Sequence, residues 1–88
     1  MEIKNKATAG VLENNDIFVV VEPNGNGIDL HLESTVCNQF GEEIEKTVQD
    51  VLNEFKIENI KIQLKDRGAV DYAIRARVEA ALKRAGGA

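Results

Sequence analysis

The sequence predicts a two-layer α+β domain: a mostly antiparallel four-stranded sheet covered on one face by two helices, in the order β-β-β-α-β-α. Three observations carry this prediction. Residues 17–21, 28–33 and 60–65 are β-branched runs or strict apolar–polar alternations, the signature of strands. Residues 40–55 and 71–85 change to helical spacing. The 88 residues are 43% apolar and 30% charged, which suits one small core spanning 1–88 and not a disordered tail.

The elements follow in order. Ala7 to Glu13 reads as a first strand, weakened by Ala9 and Gly10. Glu13-Asn14-Asn15-Asp16 reads as a tight turn. Asparagine tolerates positive φ, so Asn14-Asn15 suits a two-residue primed hairpin turn. Ile17 to Val21 is β-branched and aromatic throughout, which predicts a central, well-buried strand. Glu22-Pro23-Asn24-Gly25-Asn26-Gly27 is a turn cluster. Ile28, Leu30 and Leu32 then share one face of a half-buried strand. The short connections among these three strands favour an antiparallel meander.

Phe40, Ile44, Val48, Val51, Leu52 and Phe55 mark the first helix. Ser34, Thr35 and Asn38 are its candidate caps, and Glu42, Glu43 and Glu45 sit where the dipole favours negative charge. Ile60, Ile62 and Leu64 alternate with Lys61, Gln63 and Lys65, giving the fourth strand. Asp66-Arg67-Gly68 turns the chain into a helix from Asp71 to Ala85, with Ile74, Val78, Ala81 and Leu82 inward. Asp71 is its expected cap, and Asp71–Arg75 and Glu79–Lys83 have the favourable acid-before-base spacing. Residues 86–88 are expected to form a frayed end.

Composition narrows the function. The formal net charge is −4, with 15 acidic against 11 basic residues, which disfavours a nucleic-acid partner. The single Cys37 excludes an internal disulfide, and no Cys/His spacing fits a zinc site. No apolar stretch reaches membrane-spanning length and the first residues lack a signal-peptide core, so the expected location is cytoplasmic, without a membrane partner.

Residues for catalysis are few. His31 stands on the polar side of its strand between Asp29 and Glu33, an arrangement open to proton transfer but more simply a solvated face. Cys37 at a helix start fits a small, partly buried residue. Gly25-Asn26-Gly27 lacks the third glycine and the following helix of a phosphate loop. Arg75, Arg77, Lys83 and Arg84 make the last helix basic, which suits its C-terminus and also suits a docking face or a phosphate contact. No nucleophile–base–orienter set emerges.

Several motifs together resemble a known family. They are Ala9-Gly10-Val11-Leu12-Glu13-Asn14-Asn15-Asp16, Gln39-Phe40-Gly41-Glu42, and Asp66-Arg67-Gly68-Ala69-Val70-Asp71 followed by Ile74-Arg75-Ala76-Arg77. In this order and spacing the chain resembles the acyl carrier (gamma) subunit of citrate lyase from Met1 to Ala85, and more distantly the small subunit of malonate decarboxylase. The four-helix acyl carriers of fatty-acid synthesis are different, and their Asp-Ser-Leu motif is absent.

The resemblance implies a non-catalytic carrier within a lyase complex that cleaves citrate to acetate and oxaloacetate. Its implied partners are the alpha (acyl transferase) subunit, the beta (citryl lyase) subunit and a prosthetic-group transferase. Its implied cofactor is 2'-(5''-phosphoribosyl)-3'-dephospho-CoA, joined by a phosphodiester to a serine at the position of Asn14, with no metal on the carrier. Asn15, Asp16, Arg75 and Arg77 are then candidate contacts for the arm or a partner.

Asn14 departs from that pattern, because a side-chain amide has no hydroxyl to attack a phosphoanhydride. Three readings follow: a carrier altered at its attachment residue, an assembly subunit of the same complex that is never loaded, and a small enzyme built on His31.

Overall fold

The apolar alternation of the sequence becomes one buried sheet face. The computed structural model describes residues 1–35 and 37–86; the side chains of residues 37–40 lie outside the description. Its elements are β1 (Ala7–Gly10), β2 (Ile17–Glu22), β3 (Ile28–Ser34), α1 (Cys37–Glu54), β4 (Ile60–Asp66) and α2 (Asp71–Ala85). Ile17, Val19 and Val21 of β2 and Ile60, Ile62 and Leu64 of β4 are almost wholly buried, as are Val48, Val51 and Leu52 of α1 and Val78, Ala81 and Leu82 of α2. α2 lies over β1 and β2, while α1 packs beside α2 and over β3.

The strand order is β1-β2-β4-β3, which corrects the expected meander. β1–β2 and β2–β4 are antiparallel, and β3 runs parallel to β4 at the sheet edge. The physical reason lies in the strands themselves. β4 has a complete apolar row to bury and gains most from a central place. β3 presents Asp29, His31 and Glu33 to solvent, which suits an edge. The parallel β3–β4 pair then needs a long crossover, which α1 supplies. The turn before β3 is tied to the approach to β4, with Gly27 donating to Asn59 Oδ1 at 2.7 Å and Ile60 donating to the Gly27 carbonyl at 3.0 Å.

Other expectations shift locally. β2 is central, but Phe18 and Val20 face away from the helices and are only half-buried. α2 begins after Val70, which makes no side-chain cap bond, so Asp71 is the first helical residue and not the cap. Asp71 Oδ1 instead accepts from the Thr47 hydroxyl at 2.5 Å. The first turn of α1 holds no acidic residue, so Glu42, Glu43 and Glu45 begin one turn too late for much dipole benefit. The inward Phe40, the Asn38 cap and the Cys37 thiol fall outside the described side chains. Gly86 still donates to the Leu82 carbonyl at 2.9 Å, and Gly87 and Ala88 lie outside the described residues.

Candidate functional site

Between β1 and β2 the chain makes a projecting loop, residues 11–16, with Asn14 exposed at its tip. The first strand ends at Gly10, three residues earlier than the sequence suggests. Gly10 has φ +83°, and a Cβ there would stand 1.9 Å from the Ile17 carbonyl oxygen. Only glycine closes the loop this tightly. The turn itself falls where the sequence places it, since the Asp16 amide donates to the Glu13 carbonyl at 3.1 Å. Its geometry differs. Within the turn only Asn15 has positive φ, 67°, the pattern of a type II turn and not of a primed hairpin turn.

The loop is fastened on two sides. The Asn15 amide donates to the Arg67 carbonyl at 2.7 Å, and the Arg67 amide donates back to the Asp16 carbonyl at 2.9 Å. Arg77, from α2, donates through Nε and Nη2 to the two carboxylate oxygens of Asp16 at 3.2 and 2.9 Å. Asp16 Oδ1 also accepts from the Ile17 amide at 2.7 Å. The Arg77 guanidinium, and next the Ile17 amide, hold the Asp16 carboxyl below its ordinary pKa, while Asp16 holds that of Arg77 above its own. The Arg77 stem passes over Gly10, since Cδ lies 3.3 Å from the place a Cβ would take.

The loop that receives Asn15 is built with equal care. Asp66, 1% exposed, accepts from the Gly68 amide at 3.2 Å, the Ala69 amide at 3.0 Å and the Ser34 hydroxyl at 2.8 Å. Gly68 turns the chain at φ +87°. Beside it lies a groove of about 260 Å³ lined by Glu43, Ile44, Asp66, Ala69, Asp71 and Ile74. The structure thus brings Asn14, Asn15, Asp16 and Arg77 together. Arg75 is directed elsewhere: it reaches Glu54 of α1 at 2.6 Å and lies 3.9 Å from Glu79, and Glu54 above all holds its pKa high. Arg84 donates to the Thr8 carbonyl of β1 at 2.8 Å.

The His31 alternative gains no enclosure. Its Nε2 is 2.9 Å from Asp29 Oδ1, and both side chains are at least half exposed on the open sheet face. Among the described residues, no three His, Cys, Asp or Glu side chains gather as a metal site, and no helix is long and apolar enough to cross a membrane.

Comparison with known proteins decides the family. The chain is 48% identical over 85 residues to a citrate lyase acyl carrier protein of Treponema denticola, covering 97% of both chains. The chain belongs to the citrate lyase acyl carrier protein family. A relative of the same name from Halothermothrix orenii is 45% identical over 85 residues, covering 97% of this chain and 90% of that one. The family described as malonate decarboxylase delta subunit (MdcD) matches residues 4–85. The fold of this carrier-family chain is also that of a chain in the crystal structure of a Pseudomonas malonate decarboxylase hetero-tetramer in complex with malonate. That match has a TM-score of 0.84 and 20% identity, and covers 96% of this chain and 87% of the other.

The turn lies where the sequence places it, at Glu13–Asp16, whereas no local pattern joins it to Arg67 and Arg77. Asp66 and Arg67 were legible as a turn. The buried Asp66 carboxylate showed itself only as a charge continuing the Ile60, Ile62, Leu64 alternation.

Proposed function

We propose that this chain is the acyl carrier subunit of a citrate lyase, altered at its attachment residue to Asn14. The observation that carries this reading is the exposed tip loop, held rigidly by Arg67 and Arg77 in a chain of the carrier family. A fixed, accessible tip is what a tethered thioester needs in order to visit separate partner sites, because the tether supplies a high local concentration. The partners on this reading are the acyl-transferase and citryl-lyase subunits and a prosthetic-group transferase.

The residues present do not fit the family's prosthetic group. Loop residues 11–16 contain no serine or threonine, so no hydroxyl stands at the tip for a phosphodiester. Ser34 is engaged with the buried Asp66, and Thr35 follows it at the end of β3, outside the loop. This mismatch favours a second reading, an assembly subunit that holds the carrier's place without being loaded.

Intact-mass spectrometry separates the two. The protein and its Asn14→Ser variant are each co-expressed with a citrate-lyase prosthetic-group transferase. An adduct on the serine variant alone supports the altered carrier. No adduct on either, with a known carrier loaded in parallel, favours the assembly subunit.

A further inference from the structure

The apolar side chains left in water are unevenly placed. Among the described residues, six large ones are conspicuously exposed: Met1, Val11, Leu12, Ile28, Val70 and Tyr72. Four of these lie in the tip loop or just after the Arg67 turn that is bonded to it. Val11 and Leu12 precede Asn14 at 44% and 48% exposure; Val70 and Tyr72, at 51% and 78%, follow the Arg67 turn. Leu12 and Val70 also belong to the motifs by which the family resemblance is seen.

We propose that this end of the molecule is a docking face for a partner protein whose surface offers an apolar hollow rimmed by lysine and arginine. The inference rests on the carrier-complex reading and names the surface through which it operates. Charge complementarity selects the occupant. Glu13 lies at the tip and Glu43 and Asp71 line the adjacent groove; the cations beside them are Arg67 in the facing loop and Arg75, which is held by Glu54. A second copy would set these carboxylates against their own kind across a two-fold axis. An anionic lipid surface is repelled by the same rim. A basic protein surface is attracted by it, and Tyr72 supplies the aromatic anchor on which interface energy concentrates. Both loops are already fastened, by Asn15–Arg67, Asp16–Arg77 and the Asp66 bonds, so little ordering entropy is lost on contact.

The test is isothermal titration of the full chain against the purified acyl-transfer and lyase subunits of a citrate lyase, at low and at physiological salt. Leu12→Asp and Tyr72→Ala are compared with His31→Ala on the open sheet face, each checked for native circular dichroism. The expected result is about tenfold or greater weakening in Leu12→Asp and Tyr72→Ala, no change in His31→Ala, and tighter binding at low salt. Native affinity in all three variants overturns the docking face and leaves the carrier reading intact. No binding of the unaltered chain to either subunit overturns both. Dimerisation of the chain alone that Tyr72→Ala abolishes overturns the assignment in favour of a second copy.

Discussion

Arg77 grips Asp16 across 61 positions of sequence, its guanidinium donating to both carboxylate oxygens. One end of the pair stands on α2, a rigid element of the core, and the other in the loop that presents Asn14. The position of the tip is thus set by the helix layer as well as by its own turn. A fork-to-carboxylate contact fixes direction as well as distance, which a lysine at position 77 would not do.

The pair gives the loop an acid limit. The folded-state pKa of Asp16 lies below its ordinary 3.8. A lowered carboxyl pKa contributes stability that is fully present above the unfolded value and is lost as pH falls through the folded value. Urea midpoints measured from pH 7 down to pH 2 are therefore expected to lose the contribution of this pair below about pH 4. In Asp16→Asn that part of the acid slope disappears, and the variant starts from a lower midpoint at pH 7. An unchanged slope would show that the pair is not formed in solution.

Gly10 is the most constrained backbone position of the site. A methyl group there meets the Ile17 carbonyl at 1.9 Å, and φ is +83°. Backbone cannot yield as a flexible side chain does. Gly10→Ala is expected to lose about 3 kcal/mol or more in denaturant unfolding. Gly25→Ala, where nothing lies within 4 Å, is the matched control and is expected to change little.

Gly10 and the Arg77–Asp16 pair show the limit of what is legible in the sequence. Residues 60–65 and 71–85 announced β4 and α2 because their period is regular and their neighbours agree. Gly10 read as a weak point in a strand, since sequence records a missing side chain but not the carbonyl that needs the space. Arg77 and Asp16 read as separate charges, because no local pattern joins residues 61 apart. The β2–β4 pairing was hidden for the same reason. Short loops favour neighbours in sequence, and the burial that placed β4 between β2 and β3 is a property of the whole sheet.

Asp66 supports the second loop from inside the protein. Its carboxylate accepts from two backbone amides and the Ser34 hydroxyl while almost fully buried. Removing it strands the Gly68 and Ala69 amides. Asp66→Ala is expected to cost about 3 kcal/mol or more, against about 1 kcal/mol for Ser34→Ala, which leaves both amide bonds in place. Hydrogen exchange gives a second reading: the Asn15 amide, bonded to the Arg67 carbonyl, should exchange faster in Asp66→Ala than in Ser34→Ala.

The tip separates backbone requirement from side-chain chemistry between two adjacent asparagines. Asn15 carries the positive φ of 67° and its amide bonds to Arg67, whereas Asn14 is exposed and outside the positive-φ set. A β-branched residue at position 15 has to enter the left-handed region that its side chain opposes, so Asn15→Val is expected to cost about 1–3 kcal/mol. Asn15→Gly should be close to neutral, because glycine enters that region freely. Asn14→Ser is expected to stay within about 0.5 kcal/mol of the unaltered chain. Thermal unfolding of the three variants checks the contrast directly. A serine variant that keeps this stability and gains an adduct from the transferase would place the loss of loading in the chemistry of one side chain. A serine variant that unfolds early would mean that Asn14 also holds the turn, and that its amide is part of the fold.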